Sequence, residues 1–148
     1  MEAHQDFKEL LALLNEHKVE YVIVGGYALA FHGAPRYTGD IDILVKPDNQ
    51  NAGRILAALK DFGFGSLDIT VKDFEKANMV IQLGVAPVRV DIITSLTGVS
   101  WEQVYSNRAR GKYGDIPAVY IGREQLVANK KAVGRKRDLA DLEALGEE

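Results

Sequence analysis

Val24-Gly25-Gly26-Tyr27-Ala28 and, after a short spacer, Arg36-Tyr37-Thr38-Gly39-Asp40-Ile41-Asp42-Ile43 decide how this sequence is read. Residues 21–24, Tyr-Val-Ile-Val, form a short buried strand that Gly25-Gly26 breaks. Residues 27–31 begin a short helix ending near Gly33, and residues 41–45 are a second strand closed by Pro47. Aspartate is depleted in strands. Here Asp40 and Asp42 stand two apart among Ile41, Ile43 and Val45. Period-two alternation puts both carboxylates on one face and the isoleucines on the other. Like charges side by side repel, and a divalent cation would neutralise them. Mg²⁺ (or Mn²⁺) suits oxygen donors, and Mg²⁺ binds through one or two carboxylates plus substrate phosphates. The competing reading is an exposed sheet face with two acids of no special role.

Working outward, Phe7, Leu10, Leu11 and Leu14 mark an amphipathic helix before the first strand. Asp48 is a candidate N-cap for a helix whose stripe is Ala52, Ile55, Leu59 and Phe62, with Gly63 ending it. Residues 70–76 suggest a short helix. Residues 79–83 and 88–93 read as strands joined by a turn at 84–87. Ser100 and Gln103 have capping-box spacing before a helix carrying Trp101 and Val104. Residues 113–120, interrupted by Gly114 and Pro117, read as short strand pieces. Helices near 123–133 and 137–145 follow. Interleaved helices and strands predict an α/β (α+β) fold, with a mixed sheet of about four or five strands flanked by helices.

The chain has 148 residues, and no linker, repeat or low-complexity tract divides it, so residues 1–148 are expected to form a single domain. Hydrophobic residues are 47% and charged residues 26%, a balance that excludes disorder over most of the chain. No apolar run approaches the ~20 residues needed to cross a bilayer. The absence of cysteine removes disulfides, thiolate catalysis and Cys-ligated zinc. With a polar, acidic start unlike a signal peptide, a cytoplasmic protein is expected. The formal net charge of −3 argues against a sequence-blind DNA binder held by bulk charge. Lys130, Lys131, Arg135, Lys136 and Arg137 nevertheless place five cations within eight residues. They suit a compact anionic ligand, or else are a solvated helix end.

Asp91, inside Val88-Arg89-Val90-Asp91-Ile92-Ile93, is a third acid in an apolar strand. If that strand lies beside the Asp40/Asp42 strand, three carboxylates converge. Such a trio can hold two metal ions about 3.5–4 Å apart for in-line phosphoryl displacement. Otherwise Asp91 is a cross-strand partner of an arginine. Gly25-Gly26 lets the backbone approach a ligand closely ahead of a helix N-terminus, which suits a triphosphate. No Gly-Lys-Ser/Thr follows, so this is not a Walker A loop.

These residues together resemble the nucleotidyltransferase (DNA polymerase β-like) superfamily. Its signature runs hydrophobic-Gly-Gly/Ser, a spacer, then Asp-hydrophobic-Asp/Glu-hydrophobic. Here the spacer is residues 27–39 and the pair is Asp40-Ile41-Asp42, with Asp91 matching the third acid. Arg36-x-Thr38-x-Asp40-Ile41-Asp42 looks like the small stand-alone members, the AbiEii-type and minimal nucleotidyltransferases of toxin–antitoxin and phage-defence systems. Residues 129–142 are similar to the closing segment of that group. Many catalytic members carry Ser where this chain has Gly26, and no second, acceptor-binding domain is evident.

The resemblance implies metal held by Asp40, Asp42 and Asp91, and an NTP over Gly25 and Gly26. NMP would pass to a hydroxyl acceptor — an RNA such as tRNA, a protein or a small molecule — with Asp91 as candidate base. Lys130, preferred over Lys131, is expected on the triphosphate, and Arg36 and Thr38 flank the carboxylates and contact phosphate or acceptor, or else are surface polar positions. Arg135 and Arg137 contact an anionic acceptor or pair with Asp138 and Asp141. Tyr27 lines the nucleotide pocket or is core. Trp101 reads as core, His4 and His17 as surface, and His32 as a helix-end residue or a metal ligand. Two rival functions are a regulatory partner that keeps the fold, such as one half of a toxin–antitoxin pair, and a metal-dependent nuclease using Asp40, Asp42 and Lys46.

Overall fold

In the computed structural model, which describes residues 3–36, 38–64, 68–84 and 88–147, the stripe Phe7, Leu10, Leu11 and Leu14 is wholly buried. It is one face of helix α1 (Gln5–Glu16), whose N-cap His4 accepts from the Asp6 amide through Nδ1 at 3.2 Å. Strand β1 (Tyr21–Val24) follows and is buried at every position, because it is interior to the sheet. The chain enters α2 (Gly25–Phe31) at once, two residues earlier than the sequence pattern suggests, then forms β2 (Asp40–Val45). Asp48 caps α3 (Asn49–Leu59) by accepting from the Asn51 amide at 2.8 Å. A wider π turn, Lys60–Phe64, carries the helix on until Gly63, at φ 107°, ends it.

Helix α4 (Val71–Glu75) precedes the strands β3 (Val80–Leu83) and β4 (Arg89–Ile93). Of the turn expected at 84–87, residues 85–87 lie outside the described residues. Ser100 and Gln103 close the expected capping box on α5 (Trp101–Ser106), with bonds of 3.1 and 2.9 Å. Trp101 is only partly buried and stacks on Tyr105, so it is a flank of the core rather than its interior.

The stretch read as short strand pieces is a hairpin of β5 (Ala109–Tyr113) and β6 (Ile116–Tyr120), turning at Gly114 with φ 62°. Strand β5 raises the count to six, above the four or five expected. Its Arg110 and Lys112 hide it from an apolar-alternation reading, and they are tolerated because β5 is an edge strand with one wet face. Helices α6 (Arg123–Val133) and α7 (Lys136–Ala144) complete the described chain.

The sheet order is β3-β4-β2-β1-β6-β5. Strands β1 and β2 pair antiparallel, while β2 pairs with β4 in parallel, and that parallel register sets Asp42 opposite Asp91. Ile41, Ile43, Val90 and Ile92 share the face that joins the core with α1 and α3, leaving the acids on the other face. Among the described residues no helix is long and apolar enough to cross a membrane.

Candidate active site

Alternation on two neighbouring parallel strands brings Asp40, Asp42 and Asp91 together, each offering an oxygen within 4.8 Å of the others. The convergence conditional on strand pairing is therefore present. Asp91 also has an arginine partner, though not across strands as the alternative had it: Arg89, two residues earlier on the same strand and face, grips it at 3.2 and 2.9 Å. Arg89 was not among the expected site residues. Its signal was there, an Arg-x-Asp inside a period-two strand.

Burial favours the neutral acid, and three neighbouring carboxylates cannot all ionise cheaply. For Asp42, burial first and the neighbouring Asp40 and Asp91 next push the carboxyl up to about 8, with Arg137 opposing. Burial likewise raises Asp91, against the pull of Arg89. Burial also acts to raise Asp40, but hydrogen bonds from Asp42 and Asp91 outweigh it and hold Asp40 below the usual carboxylate range. Asp42 thus holds a proton that a hard cation would displace, and the all-oxygen donor set of the trio suits Mg²⁺ or Mn²⁺.

The double glycine is needed by this packing. Gly25 has φ 68°, and a β-carbon on it would collide with Asp42 Oδ2. A β-carbon on Gly26 would come within 2.9 Å of Thr38 Cβ. Thr38 Oγ1 in turn donates to the Asp40 carbonyl at 3.1 Å. The turn, Thr38 and the acid strand are thus in direct contact.

The cleft above the acids holds about 500 Å³. One wall is Gly25, Gly26, Arg36 and Thr38, another is Val80, Ile93, Ser95 and Leu96, and α6–α7 supplies Asn129, Lys130, Arg135 and Arg137. Asn129 ties α6 to the second wall by donating to the Thr97 carbonyl at 2.9 Å.

Lys130 was expected on a triphosphate. The structure buries it, donating to Asp141 at 2.8 Å with Asp138 at 3.6 Å. Arg36, expected to reach phosphate or acceptor, also grips Asp141, at 2.9 and 3.2 Å. Arg135 takes Asp138 at 2.7 Å, realising the pairing alternative for that residue. Asp138 and Asp141 are themselves almost fully buried. These buried acceptors were legible only as acids in a terminal helix, and nothing local marks them as inward-facing.

Other expected residues fall outside the cleft. Tyr27 packs edge-on to Phe7 and Tyr113, beside the core. His32 donates from Nε2 to the Ile121 carbonyl at 2.7 Å, the helix-end role. His17 meets Asp61 at the surface. Lys46, which the nuclease reading needs among the acids, lies at 3.3 Å from Asp48 and 3.6 Å from Glu20 instead.

An acid trio on parallel strands beside a Gly-Gly turn, within this mixed sheet, defines a protein of the nucleotidyltransferase class. The sequence matches the aminoglycoside-2''-adenylyltransferase family over residues 6–108, more than half of the chain, and the chain belongs to that family. The narrower likeness to AbiEii-type proteins is not the family matched.

Among solved structures, a candidate nucleotidyltransferase from Thermotoga maritima superposes with a TM-score of 0.63 at 17% identity, covering 93% of this chain and 88% of the other. The antibiotic-resistance factor ANT(2'')-Ia superposes at 0.61 and 13% identity, covering 95% and 80%. A nucleotidyltransferase-like antigenic protein from Paracoccidioides brasiliensis gives 0.55 at 17%, covering 97% and 75%. At these identities the likeness concerns the fold. A search of curated proteins finds no match.

Proposed function

We propose that this protein transfers a nucleoside monophosphate from an NTP to a hydroxyl of a small-molecule acceptor, in a metal-dependent reaction carried by a single cytoplasmic domain. The convergence of Asp40, Asp42 and Asp91 within 4.8 Å under the Gly25-Gly26 turn carries the reading. Family membership supports the small acceptor over RNA or a protein partner. ANT(2'')-Ia has been solved with adenylyl-2''-tobramycin, the product of such a transfer.

The three aspartates would hold the ion, which when bound neutralises charge on the transferring phosphoryl group and the departing pyrophosphate. The Gly25-Gly26 backbone and Thr38 bound the nucleotide. The acceptor oxygen attacks the α-phosphorus in line, the bond to the β-phosphate oxygen breaks, and pyrophosphate leaves. Asp91 takes the hydroxyl proton, with its carboxylate oriented by Arg89. The chain's task is to position and to neutralise, which is most of what phosphoryl transfer requires.

The test is incubation with each labelled NTP and Mg²⁺, against a panel of aminoglycosides, other polyhydroxylated small molecules and tRNA. Labelled small acceptor with stoichiometric pyrophosphate, lost in Asp42→Asn, is expected. Label on tRNA alone would refute the acceptor class. No transfer to any acceptor, with no pyrophosphate release, would refute the catalytic reading.

A further inference from the structure

Four of the cations around the cleft are already engaged. Arg89 is on Asp91, Arg36 and Lys130 share Asp141, and Arg135 is on Asp138. Lys130 is 5% exposed and closed in by two buried carboxylates, so its ammonium is a strut inside the α6–α7 pair. Buried side-chain polar atoms of the described residues all have hydrogen-bond partners, so this network is closed. Arg137 differs. It is exposed, it lines the cleft from the first turn of α7, and among the described residues it forms no salt bridge. The Asp138 cap and the Lys130–Asp141–Arg36 bonds fix the helix start that carries it.

We propose that Arg137, not Lys130, is the side chain of α6–α7 that receives a phosphate of the bound nucleotide over the acid trio. The inference rests on the nucleotide reading of the cleft and adds a contact that neither the sequence pattern nor the family match assigns. A guanidinium can meet a phosphate with two parallel N–H bonds, and among the described residues it has no ion pair to give up in doing so. It lines the same cleft as Asp40, Asp42 and Asp91, the place where metal and phosphate would meet.

The test is titration of the full chain, in Mg²⁺, with ATP, inorganic tripolyphosphate and adenosine, the weakest followed by NMR shifts. Arg137→Ala and Arg137→Gln should each weaken ATP and tripolyphosphate by about 10- to 100-fold, as for a lost hydrogen bond to a charged group. Arg137→Lys should recover part, and adenosine should bind all forms alike. Lys136→Ala, the neighbouring exposed cation of α7 that does not line the cleft, should change ATP binding by less than about threefold.

Unchanged ATP binding in Arg137→Ala would overturn the inference and leave the nucleotide reading standing. An equal loss for adenosine, or for Lys136→Ala, would also overturn it, pointing to cleft shape or a general field. A wild-type protein that binds neither ATP nor tripolyphosphate would overturn both this inference and the reading beneath it.

Discussion

Gly25 and Asp42 are in such close contact that a β-carbon on the glycine would overlap the carboxylate Oδ2. The turn and the acid are therefore one packing unit, and the position requires glycine twice over, for its φ of 68° and for the missing side chain. Gly25→Ala should cost roughly 2–4 kcal/mol, combining left-handed strain with displacement of Asp42. Gly63→Ala is the control: its φ is 107°, but nothing lies within 4 Å of the added carbon. That variant should cost only about 1–2 kcal/mol of backbone strain. Urea melts measure both, and equal losses would contradict the contact argument.

Asp42 keeps its carboxyl proton up to about 8 in the folded chain, against about 4 when unfolded. Between these values the folded state binds more protons at Asp42, so the contribution of that group is full below about pH 4 and is lost as pH rises through about 8. Asp91, also raised, acts in the same direction. Unfolding midpoints across that window should fall for the metal-free protein, and Asp42→Asn should flatten the fall. Added Mg²⁺ should stabilise most at the alkaline end, where it displaces fewer protons. A wild-type protein that gains stability as pH rises would sink the shared-proton picture.

Lys130 sits between buried Asp138 and Asp141. Lys130→Met leaves both carboxylates without their buried cation and should cost about 3–5 kcal/mol. Asp141→Asn added to it should restore part of the loss, because one uncompensated charge is removed. Arg36→Ala should cost less, since Lys130 still faces Asp141 and the Arg36 side chain is 34% exposed. Calorimetric melts of the three variants give the ranking to be met.

Asn51 is 1% exposed and joins the ends of β1 and β2. Its Oδ1 accepts from the Glu20 amide at 2.8 Å, and its Nδ2 donates to the Glu20 and Lys46 carbonyls at 3.0 Å each. Asn51→Ala should cost about 1–3 kcal/mol, because buried backbone groups lose their partners. Asn49→Ala, on the exposed side of the same helix, should stay within about 0.5 kcal/mol. Chemical denaturation that shows no difference between them would contradict this role.

Local chemistry was enough to set much of this protein. The alternation Asp40-Ile41-Asp42-Ile43 placed acids and isoleucines on opposite faces, because a strand's side chains alternate whatever it pairs with. Asp48, Ser100 and Gln103 announced helix starts, because caps are satisfied within a few residues of chain. Only the tertiary structure decided that β2 and β4 pair in parallel with Asp42 opposite Asp91, a register set by joint burial of Ile41, Ile43, Val90 and Ile92. It alone decided that Ala109–Tyr113 is a strand, since an edge position excuses Arg110 and Lys112 from burial. The partners of Lys130 were likewise settled through space. The chain's own spacing put Asp138 and Asp141 near Lys130 in sequence, but the folding of α7 onto α6 buried the three together and left Arg137 facing the cleft.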